Sequence, residues 1–437
     1  MGSASSKTRT AALGLVMLVA LTTVACSSTN SSSTTTTSVG GSSSGSSSIP
    51  ASAFSDHTGI TSDSVNVTNV STLTGGLFKG AAVGTQAYAD YVNSTGGVNG
   101  RKVLVTSADD GFTGATNKQS TQSGISNGFA LVGSFSLDDS YGGALLAQSP
   151  GVPDVSVTLD PATSKLPNVF NPQPSANGWE EGPLQYFKSK FPQDIDAVGS
   201  LVSSAAAAQP GWNGEKYAME QVGYKIIYSP TFAITQTDFT QNVIEMKAAG
   251  VKMLFIDQMP ENYASSVLRS LVQQNFHPVV VLGGAAYSNA LVAASGGASA
   301  VNGDYLSQNQ SLYQGQDSAA IAAVATFLHW VDVASPGFQP DLFTLYGWLS
   351  AELFAQGLKN AGSNPSRGSV LQALNKITTF DGNHIIPPAN PVAKTLSNCY
   401  LLGQVVNGDF QRLDDPPVNS GTNGYRCDYS YVTPPGA

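Results

Sequence analysis

The side chains best suited to hold a small molecule lie in short loops that follow predicted strands. Ser136 comes shortly after the apolar run Phe129–Val132, and Thr158 directly follows the apolar run Pro153–Val157. Asp257 follows a third such run in the second half of the chain. Ligands of open α/β sheets bind at the carboxyl ends of the strands, where a few polar groups fix their orientation. These hydroxyl and carboxyl groups are therefore candidates for ligand binding.

No arrangement typical of catalysis or of a metal centre occurs in the sequence. A GxSxG pattern at Gly41–Gly45 lies in a serine-rich tract, with no strand before it and no helix after it. The chain contains no HExxH motif, and its histidines have no ligand spacing. The four histidines are His57, His277, His329 and His384. We therefore expect no enzymatic activity, no cofactor and no bound metal.

The length and charge of the chain limit its architecture and its partners. A chain of 437 residues is too long for one ordinary core, so two domains are expected. Charged residues make up only 11% of the sequence, and the net charge is −9. Because a nucleic-acid-binding protein would carry a basic patch, and none is apparent, no nucleic-acid partner is expected.

The first 26 residues predict an export signal. Two basic residues precede the apolar run Ala11–Leu21, which is too short to span a bilayer. The segment Thr23–Cys26 resembles a bacterial lipobox, whose cysteine becomes the lipidated N-terminus; Thr23 stands where the pattern prefers leucine. We expect cleavage and lipidation at Cys26. The alternative is an ordinary signal peptide with an incidental cysteine.

Residues 27–55 are dominated by serine, threonine and glycine. Such a composition cannot bury a core, so we expect a disordered tether between the lipid anchor and the folded part.

Two further cysteines, Cys399 and Cys427, lie near the C-terminus. A pair of cysteines in an exported chain favours a disulfide bond, which would attach the tail to a predicted hairpin near Asn407-Gly408. The alternative is two free thiols.

The segment from Ser64 to Thr106 predicts one β-turn-α-β unit. An alternating apolar run to Val70 is followed by apolar residues three or four apart from Phe78 onward, which is the spacing of an amphipathic helix. Gly96-Gly97 ends that helix, and a turn at Asn99-Gly100 leads into the next strand. Such a unit implies a parallel sheet.

This segment also resembles a known family. The order TLTG, then GGVNGRKV, then DDG is similar to the first lobe of type I periplasmic binding proteins, especially the branched-chain amino-acid and amide receptors of ABC importers. The later segments FALVGSFS, TQTDFTQNVIEMKAAGVKMLF and FTLYGWLSAELFAQGLKNAG fit the same family. The resemblance covers roughly residues 60–415.

The resemblance implies an α/β fold with two lobes, each a parallel sheet flanked by helices, joined by three crossovers in the manner of a Venus flytrap. The first lobe would comprise residues 56–172 and 307–383, and the second lobe residues 173–306 and 384–437. A small ligand would bind between the lobes and close them.

The resemblance also implies roles for individual residues. Ser136 and Thr158 would hydrogen-bond the ligand carboxylate, and Phe78 would form an aromatic wall at the mouth of the cleft. Leu159 in the first lobe is a further candidate for ligand contact, as are Trp212 and Tyr287 in the second.

One feature of the family is missing from the sequence. Its amino-acid receptors place a carboxylate in the loop that corresponds to Gly283–Tyr287, where it pairs with the ligand ammonium, but this loop carries no charge. The nearest substitutes are Asp257 and Asp160. Because burying an unpaired ammonium group is costly, an apolar or aromatic acid, or an amide, is as plausible a ligand as a branched-chain amino acid.

We therefore expect an exported, monomeric, lipid-anchored receptor at the outer face of the cytoplasmic membrane, delivering a small organic ligand to the permease subunits of an ABC importer. One alternative is a ligand sensor without a transport role. Neighbouring genes for permease and ATPase subunits would argue against this alternative. The other is a secreted hydrolase, which a screen with chromogenic esters would detect.

Overall fold

The computed structural model describes residues 49–173, 178–395, 397–414 and 424–435. Cys26 and the tether up to residue 48 lie outside the described residues. The strands are β1 (Ser64–Ser71), β2 (Lys102–Asp109), β3 (Ala130–Val132), β4 (Asp154–Val155), β5 (Val169–Phe170), β6 (Trp179–Glu180), β7 (Val198–Ser200), β8 (Val202–Ser203), β9 (Ile226–Tyr228), β10 (Thr231–Phe232), β11 (Met253–Ile256), β12 (Val279–Gly283), β13 (Tyr305–Gln308), β14 (Leu401–Val406), β15 (Asp409–Arg412) and β16 (Tyr431–Val432).

Helices alternate with most of these strands. They are α1 (Lys79–Ser94), α2 (Gly114–Asn127), α3 (Asp139–Gln148), α4 (Pro161–Ser164), α5 (Glu181–Lys190), α6 (Gln209–Val222), α7 (Thr240–Ala249), α8 (Glu261–Gln273), α9 (Asn289–Ala294), α10 (Ala298–Val301), α11 (Asp317–Ala320), α12 (Ala322–Ala334), α13 (Leu342–Asn360) and α14 (Arg367–Leu374). Short 3-10 turns occur at Ala51–Ser55, Thr74–Gly76, Ala206–Ala208 and Gly284–Ala286.

The strands form two main sheets. The first sheet has the order β2-β1-β3-β4-β5, and all of its strands are parallel. The second sheet has the order β15-β14-β13-β12-β11-β7-β9, in which β14 runs antiparallel to both of its neighbours and the remaining pairs are parallel. Strands β3 and β11 are buried along their whole length, as expected for parallel strands covered by helices on both faces. The α/β fold with two sheets is confirmed.

The predicted opening unit is present as β1, α1 and β2, with α1 ending before Gly96-Gly97. Helix α1 packs closely on α13, because glycines lie at the contact. A Cβ added to Gly84 would lie only 1.9 Å from the carbonyl oxygen of Thr344, and one added to Gly347 only 2.1 Å from that of Ala81. This contact attaches a late part of the chain to the first sheet.

The chain therefore passes between the two sheets three times, after β5, after β13 and after α14. The lobe boundaries predicted from the sequence place the second passage between residues 306 and 307, but residues 305–308 form β13, which is paired on both sides in the second sheet. The chain thus leaves that sheet after Gln308. The exact lobe boundaries stay a prediction.

The C-terminal hairpin and the disulfide bond are both present. Strands β14 and β15 are antiparallel and meet at Asn407-Gly408, where both residues have positive φ. Cys399 and Cys427 are joined by a disulfide bond. Tyr400 and Arg426 exchange two backbone hydrogen bonds of 2.8 Å beside it, so the tail is attached to the hairpin as predicted.

Candidate functional site

A cleft of about 300 Å³ lies at the carboxyl ends of the strands of both sheets. The loops after β1, β3 and β4 and the start of α13 form one wall. The loops after β11, β12 and β13, together with β6 and the start of α6, form the opposite wall. This is the position at which parallel α/β sheets bind ligands.

The wall from the first sheet is largely apolar and aromatic. The rings of Phe78, Phe135 and Phe343 form a compact cluster with centroid distances of 4.6–4.9 Å. Tyr346 packs beside Phe135 at 5.6 Å, and the apolar Leu159 also reaches the cleft. Phe78 packs edge to face on Phe135 and Phe343, and the other ring pairs are tilted, so together the rings form a packed surface for an apolar ligand body.

Thr158 provides a polar group in this apolar wall. Its side chain lines the cleft and is only 5% exposed. Its Oγ1 atom has no hydrogen-bond partner among the described residues. A buried hydroxyl without a partner costs about 1–3 kcal/mol, so a ligand that bonds to it would recover this cost.

The opposite wall carries two carboxylates, Glu180 and Asp257. Burial raises the pKa of Glu180 to about 7, and the nearby carboxylate of Asp257 contributes to the rise. Burial likewise raises the pKa of Asp257 to about 6. Glu180 accepts a hydrogen bond of 3.3 Å from the Nδ2 atom of Asn309, which also reaches the cleft. This wall can therefore pair with a positive group.

A third carboxyl group, that of Glu215 on α6, lies behind Asp257. The side chain of Glu215 is fully buried, and no hydrogen bond of normal length reaches either of its carboxyl oxygens among the described residues. Burial and the charge of Asp257 raise the pKa of Glu215 well above its usual value. The carboxyl groups on this side of the cleft thus lack a positive partner.

Four of the seven residues expected to contact the ligand line the cleft: Phe78, Thr158, Leu159 and Asp257. The other three lie elsewhere. Ser136 is 2% exposed and donates its hydroxyl proton to the buried carboxylate of Asp110.

Trp212 and Tyr287 are also directed away from the cleft. Trp212 is buried within α6, whereas its neighbour Gly211 reaches the cleft. Tyr287 is fully buried in contact with Tyr313 and Phe410, and its hydroxyl accepts a hydrogen bond from the backbone of Gln314. The apolar part of each ring is used in core packing, which sequence position alone does not indicate.

Several cleft residues were missed in the sequence. Glu180 lies on β6, a two-residue strand whose partner is β16 near the C-terminus, so no local pattern marks it. The polar run Gln308–Gln310 directly follows β13 and could have been found by the strand-end rule. Phe343 and Tyr346 belong to the FTLYGW segment that resembles the family, and their spacing of three residues places them on one helix face.

In the parts of the chain that the structure describes, no group of three or more histidine, cysteine, aspartate or glutamate side chains is arranged to hold a metal ion. The same residues include no helix that is both long and apolar enough to cross a membrane.

Comparison with known proteins identifies the family. A family profile described as periplasmic binding protein matches residues 65–409, which is well over half of the chain. The chain belongs to this family. It is 25% identical over 302 residues to a Leu/Ile/Val-binding protein homolog 1 of Brucella melitensis, covering 64% of this chain and 73% of that protein.

Solved structures of type I periplasmic binding proteins share the fold. A fatty acid ABC transporter substrate-binding protein from Thermomonospora curvata matches with a TM-score of 0.66 at 15% identity, covering 86% of this chain and 94% of that chain. A solute-binding protein of an ABC transporter from R. palustris, in complex with benzoate, matches with a TM-score of 0.68 at 16% identity, covering 85% and 98%. Members of this periplasmic binding protein family are extracytoplasmic solute receptors rather than enzymes.

Proposed function

We propose that this chain is the extracytoplasmic receptor of an ABC importer and binds one small organic ligand in the cleft between its two sheets. The observation that carries the proposal is the cleft itself, formed by strand-end loops of both sheets. It combines an aromatic wall, the unpartnered hydroxyl of Thr158 and the carboxylates of Glu180 and Asp257. The names of the relatives as ABC transporter substrate-binding proteins support the same role.

The ligand has an apolar body that packs against Phe78, Phe135 and Phe343, and a polar group that reaches Thr158. The sequence predicts a branched-chain or other apolar amino acid, an amide, or an apolar or aromatic carboxylate, and relatives are named for leucine, isoleucine and valine or contain benzoate. The shape of the cleft also admits an apolar amine. Ligand that contacts both walls favours the arrangement in which they are close together, so binding closes the cleft. The closed form then engages the permease subunits.

The receptor acts as a monomer attached to the outer face of the cytoplasmic membrane. Support for the attachment comes from the sequence, in which an apolar run and the segment Thr23–Cys26 precede the tether of residues 27–55. A lipid on Cys26 would keep the receptor near the permease, while the tether gives it freedom to reorient.

The test is mass spectrometry of small molecules released by denaturing the protein purified from its native source. A single organic compound, released in nearly stoichiometric amount and taken back by the refolded chain, is the expected result. Loss of uptake of that compound in cells that lack the gene would separate an importer from a sensor. No released compound, and no small molecule that binds on screening, would contradict the proposal.

A further inference from the structure

We infer that the ligand is an organic ammonium cation with an apolar body and without a carboxylate group. This inference rests on the proposed function, because it concerns the occupant of the same cleft. It depends on three observations: which hydrogen-bond donors of the first wall are already used, which charges line the cleft, and which buried polar groups lack a partner.

The hydroxyl expected to hold an anionic ligand group is already bonded within the protein. Ser136 donates to the carboxylate of Asp110, which is fully buried. The same carboxylate accepts hydrogen bonds of 3.2 Å from the Thr72 hydroxyl and from the Nδ2 atom of Asn117. An internal carboxylate thus takes up the donors that a ligand carboxylate would require.

The backbone donors of the neighbouring loops are used in the same way. The N–H groups of Leu159 and Asp160 both donate to the carboxylate of Asp139, at 2.6 and 3.0 Å. The N–H groups of Leu73 and Thr74 donate to the carboxylate of Asp109, at 2.9 and 3.1 Å. The loops after β1, β3 and β4 therefore direct these donors to carboxylates of the chain itself, leaving fewer for an external anion.

The ionisable groups with a formal charge at neutral pH that line the cleft are all acidic. Among the described residues that line the cleft, no side chain is lysine, arginine or histidine, whereas Glu180 and Asp257 are both carboxylates. An anionic ligand would have to be buried beside these carboxylates without a basic partner, which is costly. A cationic ligand would instead give both carboxylates an opposite charge.

A buried polar group that lacks a partner independently indicates a ligand here. The Oγ1 atom of Thr158, on the wall that faces Asp257, has no hydrogen-bond partner among the described residues. The carboxyl group of Glu215, behind Asp257, is fully buried, and the polar side chains that interact with it are those of Asp257 and Gln258. A cation at Asp257 would lower the electrostatic cost of the Glu215 carboxyl group behind it. Thr158 could meanwhile accept a hydrogen bond from an N–H group of the ligand.

Aromatic rings surround the carboxylate end of the cleft. Trp179 precedes Glu180 in β6, Tyr431 of β16 is the register partner of Glu180, and Tyr346 lies in the opposite wall beside Phe135; all three line the cleft. Burial and the charge of Glu180 raise the pKa of the Tyr346 and Tyr431 hydroxyls, which indicates that both rings lie near that carboxylate. Aromatic faces beside a carboxylate attract an ammonium group through cation–π contacts.

The test compares ligands that share an apolar body and differ in whether they carry an ammonium group, a carboxylate group or both. One set is 3-methylbutylamine, leucine and 4-methylpentanoate; a second set is 2-phenylethylamine, phenylalanine and 3-phenylpropanoate. Calorimetry on the full folded chain is expected to show that the amine of a set binds more tightly than the amino acid, and that the acid binds most weakly. The compound released from the native protein is expected to carry an ammonium group and no carboxylate.

Variants identify the residues responsible. Glu180→Gln and Asp257→Asn are each expected to weaken amine binding by about ten- to a hundredfold, the usual effect of losing a hydrogen bond to a charged group. Glu220→Gln is the matched control, because it removes the same charge from an exposed position on α6. Thermal unfolding of each ligand-free variant shows whether it has kept its fold.

The outcomes separate this inference from the proposed function. Tighter binding of an acid or an amino acid, or release of a carboxylic acid from the native protein, overturns the inference and leaves the receptor role intact. The inference is also overturned if Glu180→Gln and Asp257→Asn both fold and both bind the amine as tightly as the wild type does. If no compound of either set binds and none is released, both proposals fail.

Discussion

At the scale of single residues, two hydroxyls in equivalent sequence positions have different environments. Ser136 and Thr158 both follow short buried strands of the first sheet. Ser136 is bonded to Asp110, whereas the Oγ1 atom of Thr158 has no partner among the described residues and lies at the cleft. A buried polar group that nothing in the chain satisfies is the better candidate for ligand contact.

Replacing Thr158 tests this difference. Thr158→Val keeps the shape of the side chain and removes the hydroxyl, so ligand affinity is expected to fall by about twofold to tenfold, the effect of one ordinary hydrogen bond of roughly 0.5–1.5 kcal/mol. Because the hydroxyl is unsatisfied without ligand, the thermal midpoint of the ligand-free protein is expected to stay the same or rise. Calorimetry with the released compound measures the first effect. Thr158→Ser, which keeps the hydroxyl, is the control; unchanged affinity in Thr158→Val would show that the hydroxyl does not contact the ligand.

The sequence alone does not show that, among the described residues, the Ser136 hydroxyl is bonded and the Thr158 hydroxyl is not, because the residue that bonds to Ser136 lies in another part of the chain. Asp110 directly follows β2 and reaches Ser136 only after β1, β2 and β3 have formed their sheet. Glu180 was missed for a similar reason, since β6 pairs with β16 about 250 residues later. Local spacing identified the loops that line the cleft, but not which side chains within them are consumed by internal hydrogen bonds.

At the scale of elements, local sequence patterns predict a helix, strand or hairpin correctly where the element is long or where its turn has a distinctive sequence. Strand β1, helix α1 and the hairpin at Asn407-Gly408 follow from apolar spacing and from residues that adopt positive φ. The apolar pattern of Ala319–Val333 favours a single helix, but the structure has two helices here, α11 and α12. Ile321 between them has an extended backbone and packs into the core, a tertiary effect that periodicity does not reveal.

The disulfide bond at the hairpin is expected to contribute measurably to stability. Cys399 and Cys427 are 28 residues apart, and closing a loop of this size in the unfolded chain is worth about 3–4 kcal/mol in the chain-entropy treatment. Made in the Cys26→Ser protein, the double substitution Cys399→Ser/Cys427→Ser should lower the free energy of unfolding by that order in urea denaturation. The reference is the Cys26→Ser protein, in which thiol counting under denaturing, non-reducing conditions should find no reactive thiol. Two thiols per chain would show that the bond does not form.

At the scale of the whole molecule, several buried or half-buried carboxyl groups bind protons more strongly in the folded chain than in the unfolded chain. Burial raises the pKa of Asp304 and of Glu352 to about 8, and that of Asp154 to about 7. The folded chain therefore holds more protons between about pH 4 and pH 8, and its stability decreases as the pH rises through this window.

The ligand-free protein is accordingly expected to melt several degrees higher at pH 5 than at pH 8. Asp304→Asn should reduce this difference, because burial alone raises the pKa of Asp304 and its Oδ2 atom has no partner among the described residues. Differential scanning calorimetry at both pH values makes the measurement, with the exposed Asp63→Asn as the control. A midpoint that rises from pH 5 to pH 8 would contradict the expectation.

Membrane attachment is expected to depend on one residue outside the described part of the chain. Cys26→Ser should move the protein from the membrane fraction to the soluble fraction of cells that process lipoproteins, because a single thioether-linked lipid anchor would be lost. Immunoblotting of the two fractions checks this. The Cys399→Ser/Cys427→Ser protein, with Cys26 intact, should remain with the membrane. An unchanged membrane fraction for Cys26→Ser would exclude the lipid anchor.

Binding of the released compound to a protein with a filled cleft tests the central claim most directly. Ala285 lines the cleft in the loop after β12, so Ala285→Trp should fill the ligand space, whereas Ala249→Trp makes the same change at an exposed position at the end of α7. By calorimetry, one molecule per chain should bind to the wild type and to Ala249→Trp with similar affinity, and none to folded Ala285→Trp. Equal binding to all three proteins would contradict the account, since the ligand would then lie outside the cleft.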